Sequence, residues 1–202
     1  MSAITYFYTG STESEVERQF ADLRSVQTAD EFVAYLEAAI ASRFTEDYFK
    51  LTLPLELNTS SSISPAWNGY VASQIVLNNP MLFSTSSLTP YLLPGASGTK
   101  NAVDKHHIIP KNYLEKIGYT TDRDRNQVAN FTYLDYVTNI DISDDAPALY
   151  IQRYKDKLGD EFKTHCENHA LPENFETMDY MEFLNKRRSL MALLIKKAYS
   201  RL

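Results

Sequence analysis

The four histidines of the chain lie in two places where chemistry could occur. His106 and His107 are adjacent, within the segment DKHHIIP of residues 104–110, and His165 and His169 are four positions apart. Neutral imidazole is a good metal ligand, and a histidine can act as a general base near neutral pH. A pair of histidines alone usually has no function, so the residues around His106 and His107 decide how the pair is interpreted.

Further polar residues accompany the adjacent pair at defined intervals. Two isoleucines and Pro110 follow His107, and Asn139 comes nine positions after Asn130. Imidazole nitrogens and amide oxygens at these positions can serve as bases, metal donors or hydrogen-bond partners.

The segment VDKHHIIPKNYL resembles the first half of the HNH, or ββα-metal, nuclease signature. Asn130 and Asn139 are spaced like the positioning asparagine and the first helix ligand of colicin-type DNases, which have another histidine where this chain has Ser143. The resemblance implies that His107 is the general base and that His106 and Asn139 bind the metal. It also implies that Asn130 braces the loop between the strands and orients His107. Ser143 is a poor ligand and is left out of this set.

Three segments are similar to the C-terminal HNH portion of GmrSD-type, modification-dependent restriction endonucleases. They are YFYTGSTESEVERQF near the first residue, HHIIPKNYL in the signature, and FLNKRRSLMALLI near the last residue. The similarity implies DNA cleavage within a restriction or phage-defence system. These proteins usually carry a ParB-like nucleotide-hydrolysing region ahead of the HNH portion. We therefore expect DNA and a ParB-like NTPase domain or subunit as partners.

The proposed ligands also bear on which divalent metal would bind. His106 offers an imidazole nitrogen and Asn139 an uncharged amide oxygen, whereas Mg²⁺ prefers carboxylate and water oxygens. Unless Asp104, Asp141 or a substrate phosphate completes the coordination sphere, we expect Mg²⁺ to bind weakly to the free protein. Mn²⁺, Ni²⁺ or Zn²⁺ would bind more tightly.

Local structure must bring these residues together. Successive strand residues point to opposite faces, so His106 and His107 can share a site only where the strand ends or twists. Pro110 predicts such an end, because proline interrupts strand pairing. Asn139 and Ser143, four positions apart, would lie on one face of a helix.

The pattern around the signature predicts a strand, a long loop, a second strand and a helix. Residues 103–109 and 131–134 are short and rich in strand-forming residues, and a helix is expected from about Tyr136. The predicted class is α+β, a mainly helical framework that carries a small ββα-metal element at about residues 102–142. The first two of the other predicted helices begin with capping boxes, and the third begins with a proline after its N-cap. The five predicted helices lie at about residues 13–25, 28–44, 64–75, 146–158 and 178–202.

A stretch rich in proline, glycine and serine, residues 84–100, is the best position for an internal boundary. It divides the chain into a helical N-terminal region, residues 1–100, and a region of residues 101–202 with the HNH element and the C-terminal helices. We expect the two to form one compact unit.

The remaining candidate motifs have simpler interpretations. His165 and His169 form an HxxxH, but Cys166 stands where a zinc protease has its glutamate, so a packing or solvated pair is expected. The formal net charge is −6, yet residues 186–202 alone carry six basic residues and no acid. The run Lys186–Arg188 is either a solvated helix face or a phosphate contact, and the sequence leaves both open.

The single cysteine, Cys166, cannot form an intrachain disulfide, and no apolar leader or long apolar run is present. We therefore expect a soluble, cytoplasmic protein with no membrane partner. Two rivals to a DNA endonuclease remain. One is a non-catalytic nucleic-acid-binding or assembly module of an NTPase-dependent complex, and the other is an RNA-cutting HNH toxin.

Overall fold

Helices make up most of the molecule, and a small antiparallel sheet of two strands is the only sheet within the described residues. The computed structural model describes residues 13–92 and 103–202. The predicted α+β class, a helical framework around a small sheet, is thereby confirmed. In the first half the helices are α1 (Glu13–Leu23), α2 (Ala29–Arg43), α3 (Leu53–Glu56), α4 (Pro65–Val76) and α5 (Thr89–Leu92), and a π-helical turn, Tyr48–Thr52, precedes α3.

The second half contains the sheet and the remaining helices. Its elements are β1 (Val103–His107), α6 (Lys111–Lys116), α7 (Asp122–Arg125), β2 (Phe131–Asp135), α8 (Tyr136–Ile142), α9 (Pro147–Leu158), α10 (Glu161–Asn168) and α11 (Tyr180–Tyr199). The two predicted strands and the helix after them are confirmed in that order, but the segment between the strands, predicted as a long loop, contains α6 and α7.

Local capping signals start two helices of the first half where they were predicted. The hydroxyl oxygen of Thr28 accepts the Glu31 N–H at 3.2 Å, and that of Ser64 accepts the Trp67 N–H at 3.3 Å. Each bond satisfies an N–H that has no partner inside its helix. The first predicted capping box begins at Thr12, which lies outside the described residues.

The two strands pair from Val103 opposite Asp135 to His107 opposite Phe131. Strand β1 is two residues shorter than predicted, because the backbone after His107 no longer pairs with β2. The N–H of Ile109 donates instead to the side chain of Asn130. At the other end Asp135 caps α8, and its carboxylate accepts the Thr138 N–H at 2.8 Å. Strand β2 therefore passes into α8 without a loop.

One hydrophobic core includes residues from both halves of the chain. It contains Trp67 and Tyr70 of α4 together with Leu184 and Met191 of α11, and these two helices pack against each other. Burial of this apolar surface is the main source of stability that holds the framework around the sheet. Within the stretch predicted as a boundary, Leu88 is buried, whereas residues 93–100 lie outside the described part.

The sequence left open whether the basic run on α11 is solvated, and the structure exposes only its first residue. Lys186 is exposed, but Arg187 is 0% exposed and Arg188 5%. Arg187 donates to the carbonyl oxygens of Ala129 at 2.7 Å and His169 at 3.2 Å. The solvated-face interpretation is therefore wrong for both arginines, because they face loop carbonyl and amide oxygens that need donors.

Residues 13–92 and 103–202 contain no helix with the length and hydropathy needed to cross a membrane.

Candidate active site

The segment after β1 is fixed by the side chain of Asn130. Its Oδ1 accepts the Ile109 N–H at 2.8 Å, and its Nδ2 donates to the Ile109 carbonyl at 3.0 Å and the Arg125 carbonyl at 3.4 Å. The main-chain oxygen of Asn130 accepts the Ile108 N–H at 2.8 Å. Asn130 is fully buried, so it ties β1 to the loop before β2 in a dry environment where these bonds are strong.

A second bond holds the same segment from the opposite side. The hydroxyl of Tyr150, on α9, donates to the Ile108 carbonyl at 2.7 Å. Burial raises the pKa of the Tyr150 hydroxyl, which therefore remains a proton donor. With both isoleucines buried, the backbone directly after His107 is fixed by four contacts and has little freedom.

His107 stands at the end of β1, half-buried, with its ring edge-on to Phe131 at 4.9 Å between ring centroids. Its Nε2 lies 2.9 Å from Oδ1 of Asn126. An amide oxygen only accepts hydrogen bonds, so Nε2 carries the proton and the lone pair of the neutral ring is on Nδ1. The contact with Asn126 thus selects the tautomer in which Nδ1 can accept a proton.

The surroundings of His107 keep its ring neutral. Burial lowers the pKa of His107 below its usual value, and the positive charges of Lys111, Lys105 and Arg125 act in the same direction. The bond to Asn126 opposes this shift but is the smaller effect. At neutral pH the ring is therefore an unprotonated base.

Asn126 is a residue that the sequence analysis missed. It follows α7, whose start is capped by Thr121, and its N–H bonds back to the carbonyl of Asp122 at 2.9 Å. Arg125 beside it is buried and pairs with Glu115 at 2.7 Å. The capping residue could have indicated a short helix here, but only the tertiary fold places the end of that helix beside His107.

The resemblance implied that Asn130 both braces the segment between the strands and orients His107. In the structure these two contacts are made by two different residues, Asn130 and Asn126. Asn130 bonds the segment between the strands, and Asn126 bonds the His107 ring.

His106 and His107 lie next to each other in a regular part of the strand. The register continues through both, with His106 opposite Thr132 and His107 opposite Phe131. Alternation along the strand therefore directs the two side chains to opposite faces of the sheet. Asn139 lies in α8, which packs against both strands. His106 and Asn139 thus come from neighbouring elements.

The donors available for a metal are few within the part of the chain that the structure describes. No group of three or more His, Cys, Asp and Glu residues there is arranged to hold a metal ion. Asp141 is engaged elsewhere, because its carboxylate accepts the Tyr154 hydroxyl at 2.9 Å. His106 and Asn139 alone, two neutral donors, do not fit the three or four protein ligands of a closed metal centre.

Ser143 lies at the end of α8 rather than within it. Helix α8 ends at Ile142, and Ser143 follows as its C-cap with a φ of +46°. Its N–H still bonds the Asn139 carbonyl at 3.1 Å, the spacing of one helical turn.

His169, of the second histidine pair, is bonded within the core. His169 is 1% exposed, its Nδ1 lies 2.9 Å from the Thr132 hydroxyl, and its Nε2 lies 2.8 Å from the Pro80 carbonyl. Burial lowers the pKa of His169 to about 3, so the ring stays neutral. Burial also raises the pKa of the Cys166 thiol to about 12, which makes it a poor nucleophile.

Comparison of the chain with protein-family models, with curated proteins and with solved structures finds no significant match. The HNH interpretation therefore depends on the residues of the signature and on the geometry of the ββα element.

Proposed function

We propose that this protein is a metal-dependent HNH endonuclease that hydrolyses DNA phosphodiester bonds. One observation carries the proposal: the end of β1 presents a neutral histidine, His107, whose tautomer is selected by Asn126. The segment behind it is fixed by Asn130. A general base needs this combination of a free lone pair, a suitable pKa and a fixed position.

In the proposed reaction, Nδ1 of His107 takes a proton from water as the water oxygen bonds to phosphorus. The bond from phosphorus to the sugar oxygen breaks, and the departing oxygen takes a proton from solvent. The Nε2–H then continues to donate to Asn126, so the contact that selects the tautomer also stabilises the imidazolium. Lys105 and Lys111 contribute positive charge beside this ring and would attract a phosphate group. Metal dependence is proposed from the resemblance alone. Of the two ligands it implies, His106 and Asn139, the strand register directs His106 to the face of the sheet opposite His107.

The biological setting is proposed from the resemblance as well. It is a cytoplasmic restriction or phage-defence system in which a ParB-like NTPase domain or subunit works with this chain. Fold alone does not determine function, so the proposed biological setting depends on the similarity of the three sequence segments to GmrSD-type proteins.

The test is cleavage of supercoiled plasmid by the purified chain in Mg²⁺, Mn²⁺, Ni²⁺ or Zn²⁺, with and without a chelator. A single-stranded RNA of similar length is tested in parallel. We expect metal-dependent nicking of DNA that His107→Ala removes. Cleavage of RNA alone would favour the toxin, and no cleavage with any metal would contradict an active nuclease.

A second candidate is a non-catalytic module that binds nucleic acid or helps to assemble a larger complex. The small number of metal donors favours it, as does α8, which exposes the apolar side chains of Tyr136, Val137 and Ile140. An exposed apolar group of this kind is common at protein interfaces. Binding of DNA without cleavage, unchanged in His107→Ala, would support this candidate.

A further inference from the structure

A polar cavity of about 290 Å³ lies behind the candidate active site. Its walls come from residues 58–60, from Arg123, Asp124 and Gln127, and from α11. The carbonyl oxygen of Thr59 accepts the Val128 N–H at 2.8 Å, so two of these walls are held together. The cavity is therefore preformed, which reduces the entropy cost of binding a ligand.

The most deeply placed charge in this cavity is Arg188. Its side chain is 5% exposed, and it donates to two neutral oxygens, Oδ1 of Asn185 at 2.9 Å and Oε1 of Gln127 at 3.2 Å. Its Nε–H is buried and has no acceptor. Within the described ranges no carboxylate pairs with it, although buried charges in proteins are normally paired.

A second arginine, Arg123, lines the same cavity from a different segment of the chain. It is exposed, and no ion pair to it occurs in the part of the chain that is described. The hydroxyl group of Ser60 adds a further donor. Asp124 is the one acid in the lining, but its Oδ2 accepts the Thr121 hydroxyl at 2.6 Å.

The neighbouring Arg187, on the same helix, has a structural role and serves as a comparison for Arg188. It is fully buried, is not part of the cavity lining, and donates to carbonyl oxygens of Ala129 and His169. Both arginines have a buried Nε–H without an acceptor. Arg188 differs because its side chain borders an open space.

We propose that this cavity binds a phosphate group, with Arg188 and Arg123 as its charged ligands. Donors that converge from several directions suit a tetrahedral anion with several oxygens, and the guanidinium fork fits phosphate well. The phosphate can belong to a nucleic-acid backbone or can be free. The proposed phosphate site does not depend on nuclease activity. A nucleic-acid phosphate bound in the cavity would connect the site with the proposed function.

Occupation of the cavity has a consequence for the active site. Arg123, Asp124 and Gln127 form one wall, and Asn126, which lies between Asp124 and Gln127 in the chain, bonds the His107 ring. A bound phosphate would therefore restrain the segment that selects the tautomer of His107.

The test is a calorimetric titration of the metal-free full chain with inorganic phosphate. Three variants each remove one positive charge: Arg123→Gln, Arg188→Gln and, as the matched control outside the cavity, Lys186→Gln on the same helix. Loss of a charged hydrogen bond predicts a decrease in affinity of about tenfold or more for the first two. Lys186→Gln should bind like the parent protein.

Equal effects in all three variants, or no measurable phosphate binding, would overturn the proposal. If thermal denaturation shows that Arg188→Gln does not fold, phosphate binding by Arg123→Gln still tests the proposal, because the Arg123 side chain is exposed. Competition between inorganic phosphate and a short oligonucleotide then identifies the source, because only a backbone phosphate that fits the cavity will compete. Because His107→Ala retains the cavity, phosphate binding by that variant separates failure of this site from failure of the proposed nuclease.

Discussion

The two faces of the small sheet use histidine in different ways. On one face the ring of His107 packs against Phe131 and uses one nitrogen in a bond to Asn126. On the other, His169 bonds the hydroxyl of Thr132 and uses both nitrogens. Burial lowers the pKa of both rings, so both are neutral at pH 7, but only His107 keeps a lone pair for chemistry.

This difference shows that a lowered pKa does not by itself identify a base. Perturbed pKa values occur both in structural and in catalytic groups. The useful distinction is whether a ring nitrogen remains unused and can be reached by solvent. His107 is half-buried and meets that condition, whereas His169 is 1% exposed and does not.

The largest expected effect is on activity, from His107→Ala. Loss of a general base should lower cleavage by about 100-fold to 10,000-fold. Thermal unfolding should change little, because this half-buried ring makes a single hydrogen bond. A variant that cleaves plasmid at the wild-type rate would show that the face of His107 is not the catalytic one.

Asn130→Ala is expected to affect stability and activity together. The substitution leaves the buried N–H and carbonyl of Ile109 without partners, which predicts a loss of about 2–4 kcal/mol in the free energy of unfolding. Activity should fall while metal affinity remains. Urea denaturation measures the first effect, and the exposed Asn68→Ala is the matched control. A loss of metal affinity as large as that of His106→Ala would instead make Asn130 a ligand.

His169→Ala should have the opposite pattern to His107→Ala. It removes bonds to Thr132 and Pro80 in the core and leaves a small cavity, so we expect about 2–3 kcal/mol of destabilisation. Cleavage per folded molecule should be unchanged at a temperature well below unfolding. Retained stability together with lost cleavage would reverse the assignment of the two faces.

The stability of the protein in acid should depend on His169 as well. Because the folded-state pKa of His169 is lowered to about 3, the unfolded chain binds the extra proton first as the pH falls. Stability is therefore lost progressively as the pH decreases from the ordinary histidine value toward about 3. His169→Ala should make this loss less steep in denaturation curves measured across that range.

The smallest effect is a shift in pH dependence from Asn126→Asp. A carboxylate 2.9 Å from Nε2 would favour the charged ring and raise the pKa of His107, which is lowered in the wild type. The acidic limb of kcat/KM should then move to higher pH. An NMR titration of the His107 ring tests this without requiring activity, and an unchanged midpoint would rule out the contact with Asn126.

The sequence by itself determined the features that depend on neighbours along the chain. Helices begin at Thr28 and Ser64 because each side chain accepts an N–H only three residues ahead. The two strands and the following helix within residues 103–142 were predicted from composition and alternation, and the structure has them in that order, whereas α6 and α7 between the strands were not predicted. Such signals are short-range, so they do not depend on the rest of the fold.

Only the tertiary structure decided which side chains meet across the fold. It places Asn126 beside His107 and directs adjacent His106 to the opposite face through the strand register. It also buries Arg187 and Arg188, which the charge pattern alone would place on the surface. The physical reason is that burial and the pairing of hydrogen-bonding groups depend on contacts between residues far apart in the chain, as in the bond from Arg187 to Ala129.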